Sequence, residues 1–329
     1  MCLPAWRAPA VNKGEPANAP GFSGAFRKDV ESMNELPKVV AVVGTNASGK
    51  SALGVALAER FGGEIVSADS RQVFRGLDLG SGKITPEEMR GVPHHMLNVR
   101  EPGEFFSMAD FQRMAYACID GILTRGHVPF VVGGTGLYVD SVLDGYLLSD
   151  KEPDLNYRAE LEKKTTPELY GMLLRIIPDA EVDGKNRNRV MRMLERIHDG
   201  DDAVPAKQAR YESLRLGVSW PREILAERIR ERLERRVDEG MIEEVQGLLD
   251  AGVSAEFLLG LGLEYRFITQ YLTGEIPDRE DMLEQLAHAI RKFAKRQMTW
   301  FRRNPAILWL DMMGDPLAEA AEAVEEFLS

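Results

Sequence analysis

Cysteine is almost missing from this 329-residue chain, which has only Cys2 and Cys118. Two cysteines supply neither a disulfide framework nor a four-ligand zinc site, and Cys118 reads as a small buried hydrophobe on a helix. Long apolar runs are missing too: no stretch reaches the ~18 residues that a membrane span needs. The N-terminal stretch has no apolar segment after a basic start, which argues against a secretory signal. A reduced, cytosolic enzyme is the expectation. Positive charge is in deficit, with 41 Lys and Arg against 52 Asp and Glu and a formal net charge of −11. That balance argues at first against a polyanionic partner. Net charge sets solubility and steering, however, while local patches decide where a polyanion docks. What remains is ordinary: 44% hydrophobic and 28% charged residues, enough for a real core in one elaborated domain or two.

Residues 1–36 are rich in Pro, Gly, Ala and Asn without a hydrophobic period, and are read as a disordered extension. Met33, just ahead of the first strand, is a candidate native start. From Lys38 the texture changes. Val39 to Val43 form a continuous apolar run of the buried parallel-strand type, ending at Gly44. A helix with Leu53, Leu57 and Phe61 on one face follows, then strands at 64–67 and 129–132. Between those strands Met108, Phe111, Met114, Ala115, Ile119 and Ile122 recur at helical spacing. Alternating strands and helices predict an α/β fold, a P-loop NTPase-like parallel sheet flanked by helices. Residues 150–204 are charged, mostly helical and without a convincing strand, and predict an inserted helical subdomain. The core is thus expected to comprise 37–149 and 205–329. Its later part contains a strand at 214–218, long helices near 221–251 and 278–303, a last strand at 307–310 and a last helix at 316–328.

Gly44-Thr45-Asn46-Ala47-Ser48-Gly49-Lys50-Ser51 matches G-x-x-x-x-G-K-[ST], with a strand before it and a helix after it. Glycines let backbone N–H groups turn inward, the helix N-terminus adds partial positive charge, and Lys50 adds a full one. Ser51 offers a hydroxyl to Mg²⁺. The motif predicts a di- or triphosphate site without saying which. An ATP-using enzyme of this fold normally ends another buried strand on a carboxylate. Here that strand runs into Gly133-Gly134-Thr135-Gly136 instead. The nearest carboxylate is Asp69, past the second strand, where open α/β sheets bind ligands. Asp69 also suits a turn or helix cap, as does Thr135.

Several segments in order are similar to those of the tRNA dimethylallyltransferase family. They are Gly44 to Ser51; Ala68 to Gly80 with Lys83; Val92-Pro93-His94-His95-Met96-Leu97; Val132 to Tyr138; Arg192-Met193-Leu194-Glu195; Trp220-Pro221-Arg222; and Lys295 to Arg302. The resemblance runs from residue 38 to 310. It implies transfer of a dimethylallyl group from dimethylallyl diphosphate to N6 of the adenosine 3′-adjacent to the anticodon, in tRNAs reading codons that begin with U. It makes the P-loop a pyrophosphate site with Mg²⁺ rather than an ATP site. It implies that Asp69 is the general base and that Thr135 and Arg158 contact the reacting centre. It places Asp69, Ser70, Arg71 and Gln72, then Asn188, Arg189 and Arg192, then Lys295, Arg296, Gln297, Thr299, Trp300 and Arg302 against tRNA. The chemistry agrees: an allylic diphosphate leaves as an anion that amides, lysine and metal stabilise. A weakly nucleophilic aromatic amine benefits from a nearby carboxylate, and the target base must leave its stack to be reached.

Departures accompany the match. The family's usual Gly-Pro-Thr is Gly44-Thr45-Asn46 here, its Ile-Gly-Tyr is Leu263-Glu264-Tyr265, and Gly82 stands where Ala is usual. No segment resembles the family's eukaryotic zinc-finger extension, so a bacterial architecture is expected. Arg291, Lys292, Lys295, Arg296, Arg302 and Arg303 lie in an acid-free stretch with Trp300 and Phe301. This suits an anticodon stem, or, read more simply, the solvated face of an amphipathic helix. Residues 222–239 mix basic and acidic side chains evenly and read as an exposed, salt-bridged helix without a site. His94 and His95 lack partners at metal-ligand spacing and are expected to make hydrogen bonds near the cleft. No obligate protein partner and no membrane are implied. Three rival functions make distinct demands. A P-loop kinase needs a carboxylate ending the third strand, a free-nucleotide isopentenyltransferase needs no basic helix, and a vestigial RNA-binding module needs no intact Lys50, Ser51 and Asp69.

Overall fold

The computed structural model describes residues 35–148, 154–200 and 207–329. The expected N-terminal extension, including Met33, lies almost wholly outside them. The first part of the chain runs β1 (Lys38–Val43), α1 (Lys50–Phe61), β2 (Gly63–Ser67), α2 (Pro86–Met89), β3 (His94–His95), α3 (Met108–Thr124), β4 (Val128–Gly133) and α4 (Gly136–Leu143). Helices α5 (Leu155–Glu162), α6 (Thr166–Ile176) and α7 (Arg187–His198) follow. The last part comprises β5 (Glu212–Ser219), α8 (Arg222–Asp238), α9 (Met241–Asp250), α10 (Ala255–Leu261), α11 (Leu263–Leu272), α12 (Arg279–Phe301), β6 (Ile307–Asp311) and α13 (Pro316–Leu328).

The six strands form one parallel sheet in the order β3-β2-β4-β1-β5-β6. Period-two alternation sorts its side chains. Val39, Ala41 and Val43 pack with the buried residues of α3 and α4, while Val40 and Val42 pack with those of α1 and α13. Both faces are therefore covered, which explains why β1 reads as an unbroken apolar run. β4 pairs with β1 on one side and β2 on the other, and β5 takes β1's opposite edge. The carboxyl ends of β1, β2 and β4 therefore meet at the point where the order of connection reverses, the usual ligand crevice of such sheets.

Helices α8 to α12 build a separate apolar cluster. Ile229, Leu233 and Val237 of α8, Tyr265 and Ile268 of α11, and Met282, Leu286 and Ile290 of α12 are buried there against Val73, Phe74 and Leu77. This cluster presses the 69–84 loop toward the sheet. Helices α5 to α7 enclose a small core of their own around Leu161, Leu169, Leu173, Val190 and Leu194. Two features differ from the sequence expectation. The helix expected over 221–251 breaks at Gly240, whose φ of 101° an L side chain rarely adopts. His94-His95, too short to show a period, forms a strand on β2. No helix among the described residues is long and apolar enough to cross a membrane.

Candidate active site

The P-loop is shaped by contacts from three directions. Gly49 (φ 86°) and Ala47 (φ 60°) take left-handed conformations, which turn successive N–H groups inward. For alanine this geometry costs on the order of 1 kcal/mol, so other contacts must fix it. The Trp220 indole N–H donates to the Ser48 carbonyl (2.9 Å), and the Arg228 guanidinium donates to the Ala47 carbonyl (3.1 Å) while stacking on Trp220. Gln297 accepts from the Asn46 N–H (3.0 Å) and donates to the Gly134 carbonyl (2.8 Å). Within the loop, Ser48 Oγ and Lys50 Nζ donate to the Thr45 carbonyl at 2.8 and 3.2 Å. The Ser51 hydroxyl is exposed and makes no hydrogen bond among the described residues.

Opposite the loop, β2 ends in Ser67-Ala68-Asp69. Asp69 accepts the Arg71 N–H (2.9 Å) and lines two hollows at once. One is shared with Lys50, Ser51, Gln72 and Gly133, the other with Asn46, Arg71, Arg232 and Glu264. Thr135 occupies the N-cap position of α4 but does not cap it. Its hydroxyl accepts the Ser70 N–H (3.1 Å), one residue from Asp69. The missing carboxylate at the end of β4 now has a steric reason. A Cβ at Gly133 would stand 2.1 Å from the Ala68 carbonyl, and one at Gly134 would stand 2.7 Å from the Gln297 amide. At Gly133 the chain after β2 approaches too closely for any side chain, and at Gly134 the space is taken by Gln297 from α12.

Electrostatically the crevice is cationic with inset carboxylates. Burial pulls the Lys50 ammonium down to about 8, helped by Arg232 and opposed by Asp69. Burial, with Arg236 beside it, brings Arg232 down to about 10. These two arginines project from α8, where the sequence reading expected no site. They flank the apolar stripe Ile229-Leu233-Val237, and charge counting alone cannot separate a wall of the crevice from a solvated face. The available signal was their offset of one position before each buried residue. His94 lies by Lys50 and Ser51 with its Nδ1 2.8 Å from the Val92 carbonyl oxygen, whereas His95 bonds Glu64. Among the described residues no group of three His, Cys, Asp or Glu side chains is placed to hold a metal.

The residues expected to touch tRNA separate into three sets. Ser70, Arg71 and Gln72 are half-buried at the crevice; Arg71 donates to the Leu261 carbonyl (3.1 Å), and Gln72 to that of Gly82 (3.1 Å). On α12, Lys295, Arg296, Thr299 and Arg302 are exposed. Gln297 is only 6% exposed and serves the P-loop. Trp300 is not an open stacking platform: its N–H donates to Asp140 (2.8 Å), a Cβ on Gly136 would strike its ring, and Arg303 covers it at 3.8 Å. Asn188, Arg189 and Arg192 are exposed on α7. Arg158, expected at the reacting centre, lines neither hollow; it pairs with Glu162 and Glu195 in the helical cluster.

The comparisons with known proteins agree with this geometry. The family described as IPP transferase matches residues 72–304, and isopentenyl transferase matches 37–104. A tRNA dimethylallyltransferase 2 of Shewanella sediminis is 43% identical over 298 residues, covering 88% of this chain and 98% of the relative. A tRNA dimethylallyltransferase of Geobacillus thermodenitrificans is 38% identical over 303 residues, covering 88% and 95%. The crystal structure of the tRNA isopentenylpyrophosphate transferase of Bacillus halodurans superposes with a TM-score of 0.68 at 37% identity, covering 88% and 96%. A eukaryotic dimethylallyltransferase captured acting on tRNA, at 24% identity and a TM-score of 0.74, shares the fold. The chain belongs to the tRNA dimethylallyltransferase family.

Proposed function

We propose that the protein transfers a dimethylallyl group from dimethylallyl diphosphate to N6 of the adenosine immediately 3′ of the anticodon, in tRNAs reading codons that begin with U. The observation that carries this reading is the meeting of a diphosphate cradle and the Asp69 carboxylate at one crevice, with glycine rather than an acid ending β4. The P-loop amides, Lys50 and Arg232 bind the diphosphate. N6 attacks C1 of the prenyl group, the new N–C bond forms, and the C1–O bond breaks with its electron pair going to the departing pyrophosphate. Asp69 takes the N6 proton, oriented by its bond from the Arg71 N–H. Thr135 orders the same turn through Ser70. Arg158 is assigned to the tRNA side rather than to the reacting atoms, since it would have to leave Glu162 and Glu195 to reach them.

The Ser51 hydroxyl, beside Lys50 and without a hydrogen bond among the described residues, suits Mg²⁺, a cation that takes few protein oxygens and keeps several waters. Ser51 would hold the ion beside the diphosphate, where its charge would offset part of that developing on the leaving group. The exposed basic residues of α12 and the exposed end of α7 supply the tRNA footprint, with helices α5 to α7 as an inserted helical arm. The test is transfer of radiolabelled dimethylallyl diphosphate, with Mg²⁺, to unmodified tRNA and separately to AMP and ATP. Label in tRNA that disappears when the adenine 3′ of the anticodon is replaced is the expected result. Label only in free nucleotide, or ATP hydrolysis without transfer, would sink the proposal.

A further inference from the structure

Glu264 and Gly82 both stand against the α8 arginine pair, Arg232 and Arg236. Glu264, in the first turn of α11, is 7% exposed, yet its carboxylate makes no hydrogen bond or close ion pair among the described residues. It faces the hollow that also contains Asn46, Asp69, Arg232 and Arg236. Among the charges acting on Arg232 and Arg236, Glu264 is in both cases the foremost that favours the charged guanidinium. Arg236 has no hydrogen bond of its own among the described residues, and Arg232 has only a long one to the Gly82 carbonyl (3.5 Å). Gly82 is what lets them stand there. A Cβ on it would lie 1.4 Å from Arg236 Nη2 and 2.2 Å from Arg232 Nη2, and its φ of 61° suits glycine. The space at Gly82, the arginine pair and the buried carboxylate therefore form one arrangement.

Half-buried guanidinium groups with few fixed partners are favoured when a counter-charge is near and a ligand can complete their hydrogen bonds. Glu264 supplies the charge without occupying the donors. An anion in the same hollow also lowers the affinity of that hollow for any other anion. Resting on the donor-site reading above, we propose that Arg236 is a further ligand of the diphosphate and that Glu264 is a built-in counter-anion, which weakens product binding and so speeds release of pyrophosphate.

The test is calorimetric titration of inorganic pyrophosphate with Mg²⁺ into the full chain, its Glu264→Gln and Arg236→Met variants, and the double variant. Glu264→Gln should bind pyrophosphate about ten-fold tighter, and Arg236→Met about ten-fold weaker. In the Arg236→Met background, adding Glu264→Gln should still tighten pyrophosphate binding by several-fold, because the repulsion acts on the anion itself and Arg232 remains in the hollow. With saturating tRNA, Glu264→Gln should lower KM for dimethylallyl diphosphate and lower kcat together; a merely structural lesion would lower kcat/KM. Unchanged or weaker pyrophosphate binding by a folded Glu264→Gln protein overturns the counter-anion, while wild-type binding leaves the donor site standing. A wild-type protein that binds no pyrophosphate overturns the donor-site reading and this inference with it. Should the Gln variant not fold, Arg236→Met alone must still weaken pyrophosphate binding, and wild-type affinity there overturns the proposal.

Discussion

Burial works against the charge on Lys50 in the crevice, and that balance is open to measurement. Pulled down to about 8 by burial, the side chain is largely the neutral amine above that pH and must take up a proton to meet a diphosphate as a cation. Affinity for dimethylallyl diphosphate should therefore fall as pH rises from about 7 to about 9. Lys50→Arg, always protonated, should flatten that profile. Equal profiles for the two proteins would remove Lys50 as the titrating contact. Asp69 makes the complementary prediction. Asp69→Ala should slow single-turnover transfer by roughly 10²- to 10⁴-fold while tRNA affinity stays within a few-fold. Collapse of tRNA binding with transfer intact would reverse the assignment. Both residues were legible in the sequence because each belongs to a local motif beside a strand. Gln297 was named only for tRNA, Glu264 only as a departure and Arg232 not at all, because their places beside the P-loop and its hollow arise only when α8, α11 and α12 fold over it from far along the chain.

Glu64 shows how an element is secured away from the chemistry. It is the second residue of β2, with 3% exposure, and accepts from Arg125 Nε (2.9 Å) and Nη2 (2.7 Å), with His95 Nε2 and His127 Nδ1 at 2.6 and 2.7 Å. One carboxylate thus ties β2 to the short β3 and to the turn between α3 and β4. The Arg125 guanidinium, above all, holds it down to about 2 against a burial cost. Because the folded value lies below the ordinary 4.5, the stabilisation is complete above about pH 4.5 and is lost as pH falls toward 2. Glu64→Gln should cost about 1–3 kcal/mol near neutrality, measured by urea unfolding, and the gap should close on acidification. A gap of constant size would locate the effect in packing rather than charge. The sequence showed Glu64 only as the first residue of a strand; neither period nor spacing indicates that two histidines and an arginine converge on it. The break of α8 from α9 was missed for a related reason: the apolar pattern continues across Gly240, and only the glycine's backbone freedom marks the turn.

At the scale of the molecule, a chain of net charge −11 is proposed to bind a polyanion, and α12 reconciles the two. Its inner face, Met282, Leu286, Ile290, Ala294, Gln297 and Phe301, is buried and reaches the P-loop through Gln297. Its outer face exposes Arg291, Lys292, Lys295 and Arg296. One helix therefore joins the crevice to the basic surface, so RNA docked outside would be registered against the crevice within. The repulsion from the remaining acidic surface is long-ranged and screened over roughly 8 Å at physiological salt, while phosphate contacts on α12 act at close range. Replacing Arg291, Lys292 and Lys295 by Ser should reduce the slope of log affinity against log salt by about two. It should raise KM for tRNA far more than it changes transfer from a saturated complex. An unchanged slope would move the RNA footprint off α12, and the link from basic face to crevice would then need another helix. The exposed end of α7, with Asn188, Arg189 and Arg192, is the next surface to test in the same way.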